Sequence, residues 1–316
     1  MPNVGNTIKK ARKELHLQQK DIYMGIMSRA SYTKVESDTK EISLKELSIF
    51  SNRLGINFFE LLNRSGYNNK SVSEVGKEKI LISEVFKNQD LFQPNFQRIK
   101  QKRLENLQYY SVYIGYLSLA KIFDIPEITF DKNHLKELEN MYKDRHEFYS
   151  IDYEIMANLL SATSIDNILP IAKRMFPIIE SHGSQHDLTV QVFLKNAITI
   201  FILNRDFENA EFFLNQVKHN RTVPHFSLDG FIEIEIVYLE QVYNFLTTKN
   251  IDYYLDAIHT VNIFKHLGKN DVHRQLVNEL TKISENENFT PPKELSVYYE
   301  DYKVLQNKTL PLDSPK

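Results

Sequence analysis

Residues 18–36, reading QQKDIYMGIMSRASYTKVE, place two short amphipathic segments on either side of a turn that contains no proline. Ile22 and Ile26 fall at helical spacing on the first segment, and Tyr32 and Val35 on the second, so each can turn an apolar face toward one small core. The stretch reads as a helix-turn-helix.

If Ser28 caps the second segment, burial of Tyr32 and Val35 leaves Arg29, Ala30, Thr33 and Lys34 facing solvent, because residues three and four apart share a helix face. Donors interleaved with small side chains are what a helix reading base edges in a major groove requires. The same residues also describe an ordinary solvated face, so the flanks bear on the choice. Upstream, VGNTIKKARKEL puts Ile8, Ala11 and Leu15 on one stripe, with Arg12 close by. Downstream, Ser43 caps SLKELSIFSNRLG, in which Leu44, Leu47, Phe50 and Leu54 keep helical spacing until Gly55 stops it. NFFELLNR closes the unit near Arg64 as a fifth short helix.

This five-helix unit resembles the phage-repressor type of DNA-binding domain, with Gly5, Ile8, Arg12, Leu17, Gln19, Ile22, Val35, Glu36 and Leu47 where that family places its signature. The resemblance implies a structural ion pair between Arg12 and Glu36, and a Gln19 that heads the second helix and touches a DNA phosphate. Two features depart from the pattern. Tyr23 stands where alanine is favoured, and the turn is one residue short, with Met27 where a glycine is common.

A chain of 316 residues exceeds one typical domain, and 42% hydrophobic with 25% charged residues suits a globular protein. The absence of cysteine excludes a disulfide framework, a thiolate metal site and a cysteine nucleophile, and suits a reducing cytoplasm. The N-terminus enters a charged helix without an apolar leader, and no run approaches the roughly eighteen apolar residues of a spanning helix. A cytoplasmic protein without a membrane partner is expected. The net charge of −2 conceals an asymmetry: residues 1–66 carry 11 Lys and Arg against 7 Asp and Glu, and the remainder carries 28 against 34. A basic head on an acidic body fits phosphate contact at one end.

Residues 67–73 are polar and read as a linker between a head (1–66) and a body (74–288). From Glu74 onward the periodicity is helical throughout. It predicts Lys77–Phe86, a break at QPNF, a long buried segment from Arg98 to Phe123, and Lys132–Phe148, Asp152–Ala162 and Ile165–Ser181. Leu188–Leu203, Phe207–Lys218, Leu228–Thr247, Ile251–Leu267 and Asp271–Ser284 follow as helical hairpins. In RDFENAEFFLNQ, Phe207, Ala210 and Phe213 stand where a tetratricopeptide (TPR) hairpin puts an aromatic, a small residue at the crossing and a second aromatic. Without a clean 34-residue period, the body reads as a degenerate TPR-like repeat, curved and concave on one side. The fold class is all-α, ending in a short C-terminal tail over residues 289–316.

Asn158, Gln191, Asn196 and Asn204 fall on body helices otherwise rich in Leu, Ile and Phe. On a concave face such amides could hold an extended peptide backbone; at helix ends or on the surface they would be ordinary polar residues. Catalytic chemistry is missing. GKEK at Gly76 lacks the rest of a phosphate loop, and no Ser, His and Asp set carries a local signature. His182 and His186 flank Gly183 and Ser184, which read as a turn, and the series His259, His266, His273 is interrupted at Gly268. No metal, cofactor or enzymatic activity is expected.

Over nearly its full length the chain is similar to the peptide-responsive regulators of Gram-positive bacteria, the Rgg/PlcR/PrgX-like group, and within it to the PrgX/TraA type that controls conjugative plasmid transfer. The pieces that carry this are IKKARKELHLQQKDIYMGIMSRASYTKVES, ELSIFSNRLGINFFELLNRSG, GKEKILISEVF, YNFLTTKNIDYYLDAI and LTKISENENFTPPKEL. The resemblance implies a homodimer or tetramer on operator DNA, a repressor of a conjugation operon. It also implies a short hydrophobic peptide pheromone in a groove of the body, a competing inhibitor peptide, and a C-terminal segment that rearranges beside the ligand. Two other readings use the same elements: a phage-type dimeric repressor without ligand, and a helical-repeat adaptor acting on a partner protein.

Overall fold

The computed structural model describes residues 3–66 and 74–287; the proposed linker, 67–73, and tail, 289–316, lie outside the described residues. Among the described residues every regular element is helical. The chain divides into two compact units, Met1–Tyr116 and Leu117–Lys316.

The first unit begins with α1 (Val4–Glu14), α2 (Gln19–Tyr23), α3 (Arg29–Glu36), α4 (Leu44–Leu54) and α5 (Phe58–Arg64). Their starts follow the expected chemistry. Ser28 Oγ accepts from Ser31 N at 3.2 Å, Ser43 and Glu46 form a reciprocal capping box, and Asn57 caps α5. Gly55 ends α4 in the left-handed conformation. Ile8, Ile22, Tyr32, Val35, Leu47, Phe50, Leu54 and Leu61 form one core, with the Tyr32 ring edge-on to Phe50 at 5.4 Å.

Three sequence expectations change here. Helix α2 stops at Tyr23, so Ile26 belongs to the turn, from which it still packs on the core. The residue that needs positive φ is Gly25, at 78°, two positions before Met27. Leu15 lies just past the end of α1 and Leu44 on the outer first turn of α4, and both are exposed.

Helices α6 (Glu74–Lys87), α7 (Phe92–Lys102) and α8 (Leu107–Ile122) follow. Pro94 does not break the chain as expected, because it occupies the first turn of α7, where its missing N–H leaves no bond unmade. The long segment is two helices: Asn106 Oδ1 accepts from Gln108 N and Tyr109 N and starts α8 afresh. From Tyr109 through Ile114 α8 is buried all round, as its apolar faces require.

In the second unit, α9 (Lys132–Tyr142) precedes a stack made of α10 (Ser150–Ala162), α11 (Leu169–Arg174), α12 (Ser184–Leu203), α13 (Phe207–Asn220), α14 (Gly230–Thr248), α15 (Ile251–His266) and α16 (Asn270–Asn286). The segment expected to run helically to Ser181 ends at Arg174, and that expected to reach Phe148 ends at Tyr142. Pro177 restricts the residue before it and cannot extend α11. Helix α12 packs against α10, α13 and α14, and α15 joins α14 to α16. Ala210, fully buried, lets α13 approach α12, while Phe213 stacks on Phe201 at 5.5 Å, as a TPR-like hairpin requires. By length and composition α12 could cross a bilayer, which the sequence reading did not anticipate; 56% of its apolar stretch is buried within the stack, the position of a central core helix.

Candidate functional site

Two surfaces are candidates for function. On α3, the Ser28 cap and the inward Tyr32 and Val35 fix the helix's rotation, so Arg29, Ala30, Thr33 and Lys34 are all exposed on the other side. Ser28 is exposed with its hydroxyl occupied as the cap, and Thr33 Oγ1 donates back to Arg29 O at 3.0 Å. The long cations Arg29 and Lys34 therefore remain as the reaching donors of this face. Lys40, which sequence reasoning did not single out, donates to Ser31 Oγ at 2.6 Å and adds a third cation beside α3.

The turn ahead of α3 is held by Arg53, whose Nη1 donates to Ile22 O and Met24 O, each at 2.8 Å. Behind it, Arg12 Nε donates to Glu36 Oε1 at 2.6 Å and Arg12 Nη2 to Glu36 Oε2 at 3.2 Å. Gln19 Nε2 donates to the same Oε2 at 2.9 Å. The Gln19 amide carries two hydrogens and this bond uses one, so the side chain is half committed to the interior. The Tyr32 hydroxyl lies beside the pair but makes no hydrogen bond of good geometry. Burial and the nearby Glu36 carboxylate push that phenol well above its ordinary range.

The second surface is a groove of about 230 Å³ in the stack, lined from α10, α12, α14 and α16. These are alternate helices of the repeat, so the groove is built from one side of the stack. Leu160, Ile200, Leu239 and Leu276 supply apolar surface, and Lys195, Asn196, Glu235, Tyr238 and Glu279 are among the residues that supply polar atoms, with Ser161, Thr199 and Gln275 beside them. Lys195 Nζ pairs with Glu235 Oε2 at 2.8 Å, and the Tyr238 hydroxyl donates to Glu279 Oε1 at 3.0 Å.

The four amides do not come together. Asn196 lines the groove. Asn158 is half-buried on α10 with its backbone carbonyl accepting from Ser118 Oγ, and Asn204 is exposed at the C-terminal end of α12. Gln191 is a correction: it is 2% exposed, and its amide is consumed within the fold. Its Nε2 donates to Asp187 O and Ser227 O, and its Oε1 accepts from Asp229 N, pinning the loop before α14 to α12. His182 precedes Gly183 (φ 101°) and His186 is buried on α12; their rings stand edge-on at 5.1 Å, and Nδ1 of His186 lies 3.3 Å from Asp187 Oδ1. The other series breaks at Gly268, whose φ is 69°.

The fold thus defines a helix-turn-helix protein with a grooved, TPR-like body. A family model described as the C-terminal TPR region of the pheromone cCF10 receptor matches residues 96–283, and a helix-turn-helix model matches residues 8–61. The chain belongs to the pheromone cCF10 receptor family. It is 50% identical to PrgX in the PrgX/iCF10 complex, covering 100% of both chains with a TM-score of 0.90. Likeness to PrgX in the PrgX/cCF10 complex is 52% identity over 93% of this chain and 96% of that one, at a TM-score of 0.87. The SHP pheromone receptor Rgg2 of Streptococcus dysgalactiae shares the fold, with a TM-score of 0.67 at 14% identity over 88% of this chain and 99% of that one. Comparison with curated proteins returns no match.

Proposed function

We propose that this chain is a cytoplasmic DNA-binding transcription regulator, a repressor of a conjugative-transfer operon, whose occupancy of operator DNA is set by a short hydrophobic peptide. The observation that carries this is the full-length likeness, at 50% identity, to a PrgX chain in complex with iCF10. Two features of the fold support this reading. Helix α3 offers Arg29, Ala30, Thr33 and Lys34 to the major groove, and Gln19 and Ser28 lie at the helix starts where phosphates are met. The groove takes the peptide, with Asn196 bonding its backbone and Leu160, Ile200, Leu239 and Leu276 receiving its side chains. Asn158 and Asn204 serve at the margins of the same face.

One head covers a single half-site, so two heads must be held about one helical turn, or a multiple, apart, which calls for a homodimer. Residues 1–66 act as the reading head, 74–288 as the dimerisation and peptide-binding body, and 289–316 as the regulatory tail. The test is a titration of the full chain onto DNA flanking its gene, alone and with cCF10 or iCF10 added. Saturable binding at physiological salt that shifts on adding either peptide is expected. Binding that neither peptide alters would leave a ligand-free repressor, and no DNA binding at low salt would leave an adaptor.

A further inference from the structure

We propose that the groove holds the free α-ammonium of its peptide between Glu235 and Glu279, and so selects peptides with an unmodified N terminus. This rests on the reading of the groove as the peptide site. Among the lining residues the charged ones are Lys195, Glu235 and Glu279, two carboxylates against one cation. Lys195 is engaged with Glu235 at 2.8 Å, while the partner of Glu279 is the neutral hydroxyl of Tyr238 at 3.0 Å. With Glu279 ionised, the groove holds one more carboxylate than it has cations to pair with.

A carboxylate drawn out of bulk water beside a second carboxylate is costly until a cation joins it. A short apolar peptide brings one cation, its N-terminal ammonium, with three donors to share between two carboxylates. Its other end, a carboxylate, would meet like charge here and is directed away, which fixes the direction in which the peptide lies. The state of Glu279 agrees. Burial pushes its carboxyl above the usual range, the Tyr238 bond opposes this, Glu235 adds to the push and Lys195 offsets part of it.

Calorimetry with the full chain decides the matter, using cCF10 and iCF10 each prepared with a free N terminus, N-acetylated, and C-terminally amidated. Acetylation is expected to weaken binding by about tenfold or more, as the loss of a charged hydrogen bond does. Amidation should leave the affinity within about twofold. Glu279→Gln keeps an acceptor for Tyr238 and should bring the free and acetylated forms to nearly equal affinity. Equal binding of free and acetylated peptide by the unaltered chain would overturn the ammonium site while keeping the groove as a peptide site. An undiminished preference in Glu279→Gln would overturn the role of that carboxylate, and no binding of any form would remove both readings.

Discussion

Arg12 grips Glu36 through two hydrogen bonds, at 2.6 and 3.2 Å, joining α1 to the last residue of α3 inside the head. The pair is buried on both sides, with side chains 11% and 3% exposed, so removing one partner strands the other. Arg12→Met is expected to destabilise the head by about 3–5 kcal/mol, measured by thermal unfolding and by loss of DNA binding.

The same pair sets an acid limit. Burial alone would push the Glu36 carboxyl up, but the bonds from Arg12 and Gln19 outweigh it and hold the carboxyl below its ordinary range. A folded-state value below the unfolded one means that the stabilisation is complete above the ordinary carboxylate range. It is lost as pH falls through the lowered folded value. Melting curves recorded toward acid should therefore fall more steeply for the natural chain than for Glu36→Gln, which is less stable at pH 7 and has no such proton to take up.

Gly5 provides a steric test of the same junction. A Cβ at this position would lie 1.7 Å from the Val35 carbonyl oxygen, and the Gly5 N–H donates to Asp38 Oδ1 at 2.7 Å. Gly5→Ala must push α1 away from α3, at a cost at or above the upper end of the roughly 1–3 kcal/mol of an overpacked core. Asp38→Ala removes the bonds to Gly5 N and Asn6 N, worth about 1 kcal/mol as for a lost helix cap, and adds the smaller strain of Ala at a φ of 56°. Comparison of the two by chemical denaturation checks the ordering.

On the reading face, Arg29→Ala and Lys34→Ala should each weaken operator binding by about 1–3 kcal/mol without changing the melting temperature, because both side chains are exposed. Tyr32→Ala should abolish binding by unfolding the head, since that ring is fully buried against Phe50. Normal operator affinity in both surface variants would remove α3 as the reading helix.

What could be read from the sequence was whatever local spacing encodes. Tyr32 and Val35 set the inner face of α3, Ser28 and Ser43 its cap and that of α4, and Ala210 and Phe213 the α12–α13 hairpin, whereas Phe207 packs on Tyr243 of α14. Spacing does not mark where a helix ends, which is why Leu15 lies exposed just past α1, and a first-turn residue such as Leu44 can keep the spacing yet point outward. The groove's charged set escaped because Lys195, Glu235 and Glu279 come from three helices and each reads singly as a solvated charge. A signal was available in the run IEIEIVYLE, where Glu233, Glu235 and Glu240 alternate with Ile, Val and Leu on a helix too apolar to be a plain surface helix.

Gln191 and Asn196 make the sharpest contrast, since both are amides on α12 and only their partners separate them. Gln191 is bound at both ends of its amide to backbone groups of Asp187, Ser227 and Asp229, across 36 and 38 residues of chain for the last two. No periodicity in the sequence reports such a bond. Gln191→Ala leaves the Asp229 N–H and the Ser227 carbonyl without their partner, each worth about 1–3 kcal/mol if it stays buried and unsatisfied. It should therefore lower the melting temperature of the body and loosen the start of α14, seen as faster amide exchange at residues 227–232. Asn196, half-buried on the groove wall, has no such task in the fold. Asn196→Ala should leave the melting temperature within about 0.5 kcal/mol equivalent and weaken cCF10 binding by about 1–2 kcal/mol, the value of lost backbone hydrogen bonds. If instead Asn196→Ala melts early and binds peptide normally, this amide belongs to the fold and the groove holds its peptide through other atoms.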